Sequence, residues 1–387
     1  MAASDPFDGW SLNGVAVDGG AAHLAPSALP LSCLPADVDG APASLDPASG
    51  LCAASDGSVD GSYYNGGSFA YGTLTSPPIS SPQPFDRLVG SWDAFTPAGS
   101  WLQLHVRVLQ DPGWSSWYAL PIWASDASAV TRHSVKGQKD ARASVETDTL
   151  VMAAGLPASA YQLEATLFAA APSVSPKLKL ATAATLPQQV PAQHGGGGVE
   201  LLVPRRSQEL PEYHGLGFGG GGEAWCSPTT TSMIMAYWAN ILHLPQLDVP
   251  VPSVAAGTYD ATYKGTGDWP FNTAFAASYG LTAYVARFAS LDQLEPWIRA
   301  GVPIAISVAF RPGELPQAPI PSSPGHLLVV RGFTDSGDVI TNDAAAPNND
   351  QVRVVYHRGN LERVWQSHQQ GIAYVIYPPG WQTPAAG

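Results

Sequence analysis

The sequence predicts two domains of different class, an all-β sandwich of jelly-roll type followed by an α+β domain. Three observations predict it. From Phe69 to Leu186 short segments alternate apolar and polar residues between Pro, Gly, Asp and Ser punctuation, the pattern of strands at sandwich spacing. The stretch PQQVPAQHGGGG at 187–198 then carries no periodicity and reads as a flexible linker. Beyond it, a cysteine opens an amphipathic helix, and further helices and strands follow. At 387 residues the chain exceeds what one core usually serves, and 45% apolar residues are ample for burial.

Residues 1–68 are rich in Pro, Gly, Ser and Asp and are predicted to be a loop-rich part of the sandwich domain. Cys33 and Cys52 lie in this stretch, which has little other means of ordering itself, and a disulfide between them is expected to leave Cys226 as the free thiol. A bridge of that span is worth roughly 3 kcal/mol if its effect is loop entropy. Acidic residues such as Asp56 and Asp60 lack regular ligand spacing, so a solvated loop is expected rather than a calcium site.

The strands of the 69–186 domain are predicted in FAYGTLTS, DRLVGSWDAF, SWLQLHVRVL, SSWYALPIWA, SVETDTLVMA, AYQLEATLFA and LKLATAATL. In WLQLHVRVL, residues Leu102, Leu104, Val106 and Val108 fall at alternate positions and require a facing sheet. Trp92, Trp101, Trp114, Trp117 and Trp123 have core packing as their ordinary use, and a sugar-binding face, with cell-wall glycan as partner, as the alternative.

Charge narrows the partners. Lys and Arg number 18 against 31 Asp and Glu, a net −13, which argues against nucleic acid and anionic membrane surfaces. No run of eighteen apolar residues suggests a membrane span, and Met1-Ala2-Ala3-Ser4 reads as an added start on a mature sequence. The composition suits an extracellular, monomeric protein. No metal or organic cofactor is expected, because the cysteines are scattered and no HExxH occurs.

The chemistry concentrates at Gly219 to Trp238, GGGGEAWCSPTTTSMIMAYW. Pro228 fits a first helical turn, and Met233, Ile234, Tyr237, Trp238 and Ile241 recur at helical spacing, so Cys226 is predicted at a helix start. Unpaired N–H groups and the positive end of the helix dipole favour a thiolate there. GHLLVVRGF reads as a strand that opens near His326, and Asp343 follows a second strand across the turn Thr334-Asp335-Ser336-Gly337. Two such antiparallel strands bring His326 and Asp343 to one sheet end, as an imidazole that activates a thiol requires. His214 reads as a surface residue.

Taken together, AWCSPT, GHLLVVRGF and NDAA resemble the secreted papain-like peptidases related to the bacteriocin-processing, double-glycine leader peptidases. The resemblance runs from about Val199 to Tyr377 and includes GTGDWPFN at 265–272, SLDQLEPWIRAG and PIAISVAF at 303–310. It implies a papain-like fold for 199–387, with Cys226 as nucleophile, His326 as base and later acid, and Asp343 as orienting carboxylate. Asn342 is the runner-up for that last role. The resemblance also asks for an upstream glutamine at the oxyanion, for which Gln208, eighteen residues before Cys226, is the candidate. Gly222, Glu223, Trp225, Trp269 and Gly325 are expected to line the substrate groove. Asn272 is expected to cap the helix that Gly280 ends, and Ser290 with Gln293 to form a capping box.

The expected function is a secreted cysteine peptidase acting on protein or peptide through an acyl-enzyme. The alternatives are a transglutaminase-like acyltransferase, a cell-wall amidase, or a non-catalytic glycan-binding protein on the same fold.

Overall fold

A computed structural model describes residues 6–25, 44–46, 51–53, 69–128, 130–171, 173–186 and 197–384, with backbone alone for 44–46 and 51–53. Cys33, Asp56 and Asp60 lie outside the described residues, and Cys52 has no described side chain, so the expected disulfide and the acidic loop fall outside the description. The chain forms two compact units, Met1–Thr185 with Asp260–Tyr263, and Leu186–Tyr259 with Lys264–Gly387.

The first unit holds two larger antiparallel sheets. One has the strand order Ser11–Asn13, Ala70–Thr75, Ala158–Ala169, Ser100–Gln110 and Gly113–Trp114, with Tyr118–Trp123 and Ile79–Phe85 joined at its flanks. The other runs Ala143–Glu146, Thr149–Met152, Arg87–Phe95, Lys177–Ala184, Ala21–Leu24 and Val15–Asp18. Leu120 of the first sheet packs against Gly90 of the second. Leu102, Leu104, Val106 and Val108 are fully buried, and so are Trp101 and Gln103 on the opposite face of the same strand. Trp101 stacks on Phe168, its partner in the register, with ring centroids 5.4 Å apart.

Three features depart from the sequence reading. Ser11–Leu24, expected as loop, contributes three strands. SVETDTLVMA is a hairpin rather than one strand, turning at Thr147 and Asp148 with Thr147 at φ 58°. Ile79–Phe85 is a strand despite Pro82 and Pro84, and its irregular pairing with Ala158–Tyr161 tolerates residues without an N–H donor. Trp92, Trp101 and Trp123 are wholly buried, which removes them from any sugar-binding face. Trp114 and Trp117 instead flank Arg107, whose guanidinium lies 5.0 and 4.8 Å from their ring centres.

The second unit contains strands β1 Val199–Glu200, β2 Thr282–Arg287, β3 Ile304–Phe310, β4 Ser323–Phe333, β5 Val339–Asp343, β6 Arg353–Tyr356 and β7 Ile372–Tyr377. Its helices are α1 Cys226–Leu242, α2 Val251–Thr258, α3 Trp269–Ser278, α4 Leu291–Arg299 and α5 Arg358–Gln369. The antiparallel sheet has the order β2-β7-β3-β4-β5-β6, and β1 pairs the end of β4. Strand β3 is buried along its whole length, as the continuous apolar run PIAISVAF requires. Helix α1 packs on this sheet through Trp238, whose indole N–H donates to Ile376 O at 2.9 Å, and Thr230, whose hydroxyl donates to Leu327 O at 3.2 Å.

Two expected caps are corrected. Helix α3 begins at Trp269, with Asp268 as its cap accepting from the Phe271 N–H at 3.0 Å. Asn272 lies inside the helix, where its amide donates to Thr266 O and Asp268 O and accepts from the Thr231 hydroxyl. An Asp before Trp-Pro caps better because proline then occupies the first turn. At α4, Ser290 makes no side-chain cap bond; Gln293 accepts from Ala289 N–H, and the Glu362 carboxylate receives the Leu291 N–H.

Gly332 shows how closely β1 lies on β4: a Cβ there would sit 2.3 Å from Val199 O and 2.9 Å from Glu200 Cα. Backbone cannot yield as a flexible side chain does. Gly332→Ala is expected to destabilise the second unit by about 1–3 kcal/mol, measured as a lower urea midpoint for the full chain.

Candidate active site

Helix α1 starts directly at Cys226, with Trp225 at its cap and no acidic side chain in its first turn. Pro228, in that turn, has no N–H to leave unpaired. Cys226 is a free, half-buried thiol, so it is accessible while standing at the positive end of the helix dipole. The single Thr230 hydroxyl proton that reaches Leu327 O is shared with Cys226 O, at 2.6 Å, and so ties the first turn to the sheet.

His326 lies on β4, opposite Val308 of β3, and is 2% exposed. Asp343 ends β5 and pairs with Leu328 of β4, which sets it at the same sheet end as His326. His326 Nε2 donates to Asp343 Oδ1 at 2.7 Å, and the Cys226 side chain adjoins the ring and favours its protonated form. Nδ1 is therefore the nitrogen turned to sulfur. Asp343 is fully buried, and its Oδ1 also accepts from Ala345 N–H at 3.0 Å while Oδ2 accepts from the Tyr356 hydroxyl at 2.7 Å. Sequence reading overlooked Tyr356, an ordinary residue in the apolar strand RVVY.

Asn342 faces the other way. Its amide donates to Val203 O at 3.3 Å and Pro204 O at 3.0 Å, and its oxygen accepts from Arg331 at 3.0 Å. The alternation of side chains along β5 thus leaves Asp343 alone with the imidazole.

Gln208 is 4% exposed and is brought to the nucleophile segment despite the long intervening loop. Its backbone N–H donates to Ala344 O at 2.9 Å, next to Asp343, and its side-chain Nε2 donates to Glu223 O at 3.1 Å, three residues before Cys226. The second Nε2 bond goes to the Glu209 carboxylate at 3.0 Å. Gly222 permits the approach, since a Cβ there would lie 2.1 Å from Gln208 O.

The expected substrate-lining residues divide. Glu223 and Gly325 are exposed beside Cys226 and His326 in sequence, and Trp269 is half-buried. Gly222 is buried against Gln208, and Trp225 is fully buried with its indole N–H donating to Phe218 O at 3.0 Å. Trp225 therefore anchors the glycine loop and offers no surface to a substrate. His214 is exposed, as a surface residue should be. A cavity of about 440 Å³ opens near the histidine strand, lined by Phe310, Arg311, Ser323 and Pro324 among others.

Electrostatics couple the three groups. Burial disfavours a charge on His326, but the Asp343 carboxylate with its hydrogen bond to the ring, and the neighbouring Cys226 side chain, outweigh it and raise its pKa above the usual histidine range. Burial likewise works against the Asp343 carboxylate, yet His326, Tyr356 and the Ala345 N–H together hold its pKa below the ordinary value. The arrangement lets the imidazole hold a proton taken from the thiol and return it on demand.

Residues 200–372 match the profile of the Peptidase_C39 like family, and residues 38–185 match the Peptidase C39 N-terminal domain. No curated protein matches the chain. A solved structure described as a "putative C39-like peptidase from Bacillus anthracis" is similar at 18% identity, over 46% of this chain and 96% of that chain, with a TM-score of 0.32.

Two outcomes are expected from the coupled pair. At pH 6, iodoacetamide should alkylate Cys226 at least about tenfold faster in the native protein than in His326→Ala. A raised His326 pKa stabilises the fold fully below the unfolded histidine value and loses this as pH rises through the folded one; a lowered Asp343 pKa stabilises above the unfolded carboxylate value and fades as pH falls through the folded one. The Tm gap between wild type and His326→Ala should therefore be widest between about pH 4 and pH 6.5 and narrow on either side, as thermal melts across pH will show.

Proposed function

We propose that this chain, similar in both of its parts to C39-type peptidases, is a cysteine peptidase that hydrolyses peptide bonds through Cys226. The observation that carries the reading is the convergence of Cys226, at a helix start, on His326, whose ring is hydrogen-bonded to Asp343 of the adjacent strand. The packing of α1 on an antiparallel sheet, with the thiol on the helix and the imidazole on the sheet, supports a papain-like fold. The acidic, lysine-poor composition supports an exported protein acting on protein or peptide substrates.

In the reaction, His326 Nδ1 takes the thiol proton and Sγ attacks the peptide carbonyl carbon. The carbonyl electron pair moves onto oxygen, where the Cys226 N–H and Gln208 Nε2 are the donors proposed to receive it. Gln208 already binds an anionic oxygen, the Glu209 carboxylate, and a substrate oxyanion takes that place. Collapse of the intermediate breaks the C–N bond, and the imidazolium protonates the departing amine. Water, deprotonated by His326, then attacks the thioester and releases the carboxylic acid product with the free thiol. Asp343 stays ionised throughout and holds the ring with Nδ1 toward sulfur.

Cys226→Ala and His326→Ala are expected to abolish casein hydrolysis while the circular dichroism spectrum is unchanged. Asp343→Ala should retain measurable activity, and Gln208→Ala should lower kcat by about 10²-fold, the usual loss for one oxyanion donor. Wild-type turnover by Cys226→Ala would overturn the mechanism.

A further inference from the structure

The Asp343 carboxylate has three donors, and they are unequally shared. His326 Nε2 and the Ala345 N–H both bind Oδ1, whereas Tyr356 is the only donor to Oδ2 among the described residues. Tyr356 ends β6, the strand next to β5, and is fully buried. Its hydroxyl has no partner among the described residues other than Asp343. A phenylalanine would fill nearly the same volume, so packing alone does not account for the oxygen. Asp343 stands at the end of its strand, where the chain turns through the Ala346 N–H to Asp343 O bond at 3.2 Å. The terminal torsion of an aspartate is broad and roughly two-fold, so a carboxylate held on one oxygen alone can swing.

From this geometry we infer that Tyr356 is a positioning residue of the reaction: its O–H, bound to Oδ2, fixes the carboxylate plane so that Oδ1 faces His326 Nε2 and the ring presents Nδ1 to Cys226. The inference rests on the peptidase reading only for its effect on turnover. Its effect on the thiol–imidazole pair stands apart from any substrate.

The ionisable groups acting on the pair come from four elements: Cys226 from α1, His326 from β4, Asp343 from β5 and Tyr356 from β6. Burial first, then the adjacent Asp343 charge, drives the Tyr356 pKa far upward, so the phenol remains a donor at every working pH. Removing the O–H leaves Oδ2 buried without a donor. The carboxylate then holds its negative charge undamped against the imidazolium, and its plane is released.

The test is Tyr356→Phe in the full chain, alone and combined with Asp343→Ala. Two rates are read: kcat/KM on casein-derived peptide, and alkylation of Cys226 by iodoacetate between pH 5 and pH 10. Iodoacetate is an anion, so its rate falls where the imidazolium loses its proton. Tyr356→Phe is expected to lower kcat/KM about tenfold, chiefly in kcat, as loss of one hydrogen bond to a charged group does. It should also move the alkaline limb of alkylation upward by about half a unit or more. Neither change should recur in the Asp343→Ala background, because the hydroxyl would have nothing to position. Wild-type rates and limb in Tyr356→Phe, or equal losses in both backgrounds, would overturn the inference. If no peptide is cleaved yet the alkylation limb shifts as stated, the peptidase reading fails and the positioning role stands. If Tyr356→Phe does not fold but the double variant does, the hydroxyl serves the buried carboxylate, in agreement with the inference. If neither folds while Asp343→Ala does, Tyr356 is structural and the inference is wrong.

Discussion

The second unit is organised around a buried carboxylate. Asp343 has no exposed surface, and an ionised group in such a place survives only when its charge is matched and its lone pairs are occupied. His326 supplies the matching charge at 2.7 Å, and Ala345 and Tyr356 occupy the remaining acceptor capacity. Those partners come from β4, from the turn after β5, and from β6, so one side chain requires three stretches of chain to be in register. A slip of one residue in β5 would turn Asp343 to the face of Asn342 and leave a charge uncompensated. The Leu328 to Asp343 pairing is therefore tied to the chemistry as firmly as to the apolar packing of β3 and β4.

The nucleophile meets this pair by a different means. Cys226 owes its place to the start of α1, and the helix is held on the sheet by polar side chains that reach backbone carbonyls, Thr230 to Leu327 O and Trp238 to Ile376 O. Buried hydroxyl and indole groups need such partners, and their bonds fix the helix along and around its axis more tightly than apolar contact does. The segment before α1 is anchored twice, by the Trp225 indole on Phe218 O and by Gln208 on Glu223 O. Rigid backbone on both sides of the sulfur is what a site needs if a reacting carbonyl is to find its donors in place.

The first unit uses its aromatic residues mostly as core. Trp101 stacked on Phe168 and the buried Trp92 and Trp123 join strands within the unit, while Arg107 between Trp114 and Trp117 covers a half-buried edge with a cation. A tryptophan count alone thus overstates the surface offered to a planar sugar. The two-sided burial of Ser100–Gln110 explains why alternation in that strand is blurred: Trp101 and Gln103 are as buried as Leu102 and Leu104.

Read by itself, the sequence determined the local features whose cause is local. Pro228 and the apolar spacing after Cys226 specify a helix with a thiol at its head, because proline is tolerated only in a first turn and the stripe repeats at helical period. The turn residues 334–337 specify a hairpin, and the hairpin brings His326 and Asp343 to one end. The strands Ser11–Asn13 and Ile79–Phe85 escaped because their partners are distant in sequence, whereas the hairpins across Gly19-Gly20 and Thr147-Asp148 are local and their turn residues were passed over. Only tertiary structure decided that Asp343 rather than Asn342 faces the imidazole, that Gln208 reaches Glu223 across its long loop, that Trp225 is an anchor, and that Tyr356 holds the far oxygen of the carboxylate. Each of these is a contact between residues that no periodicity links, and a side chain's direction in a buried sheet end is set by which neighbours need its hydrogen bonds.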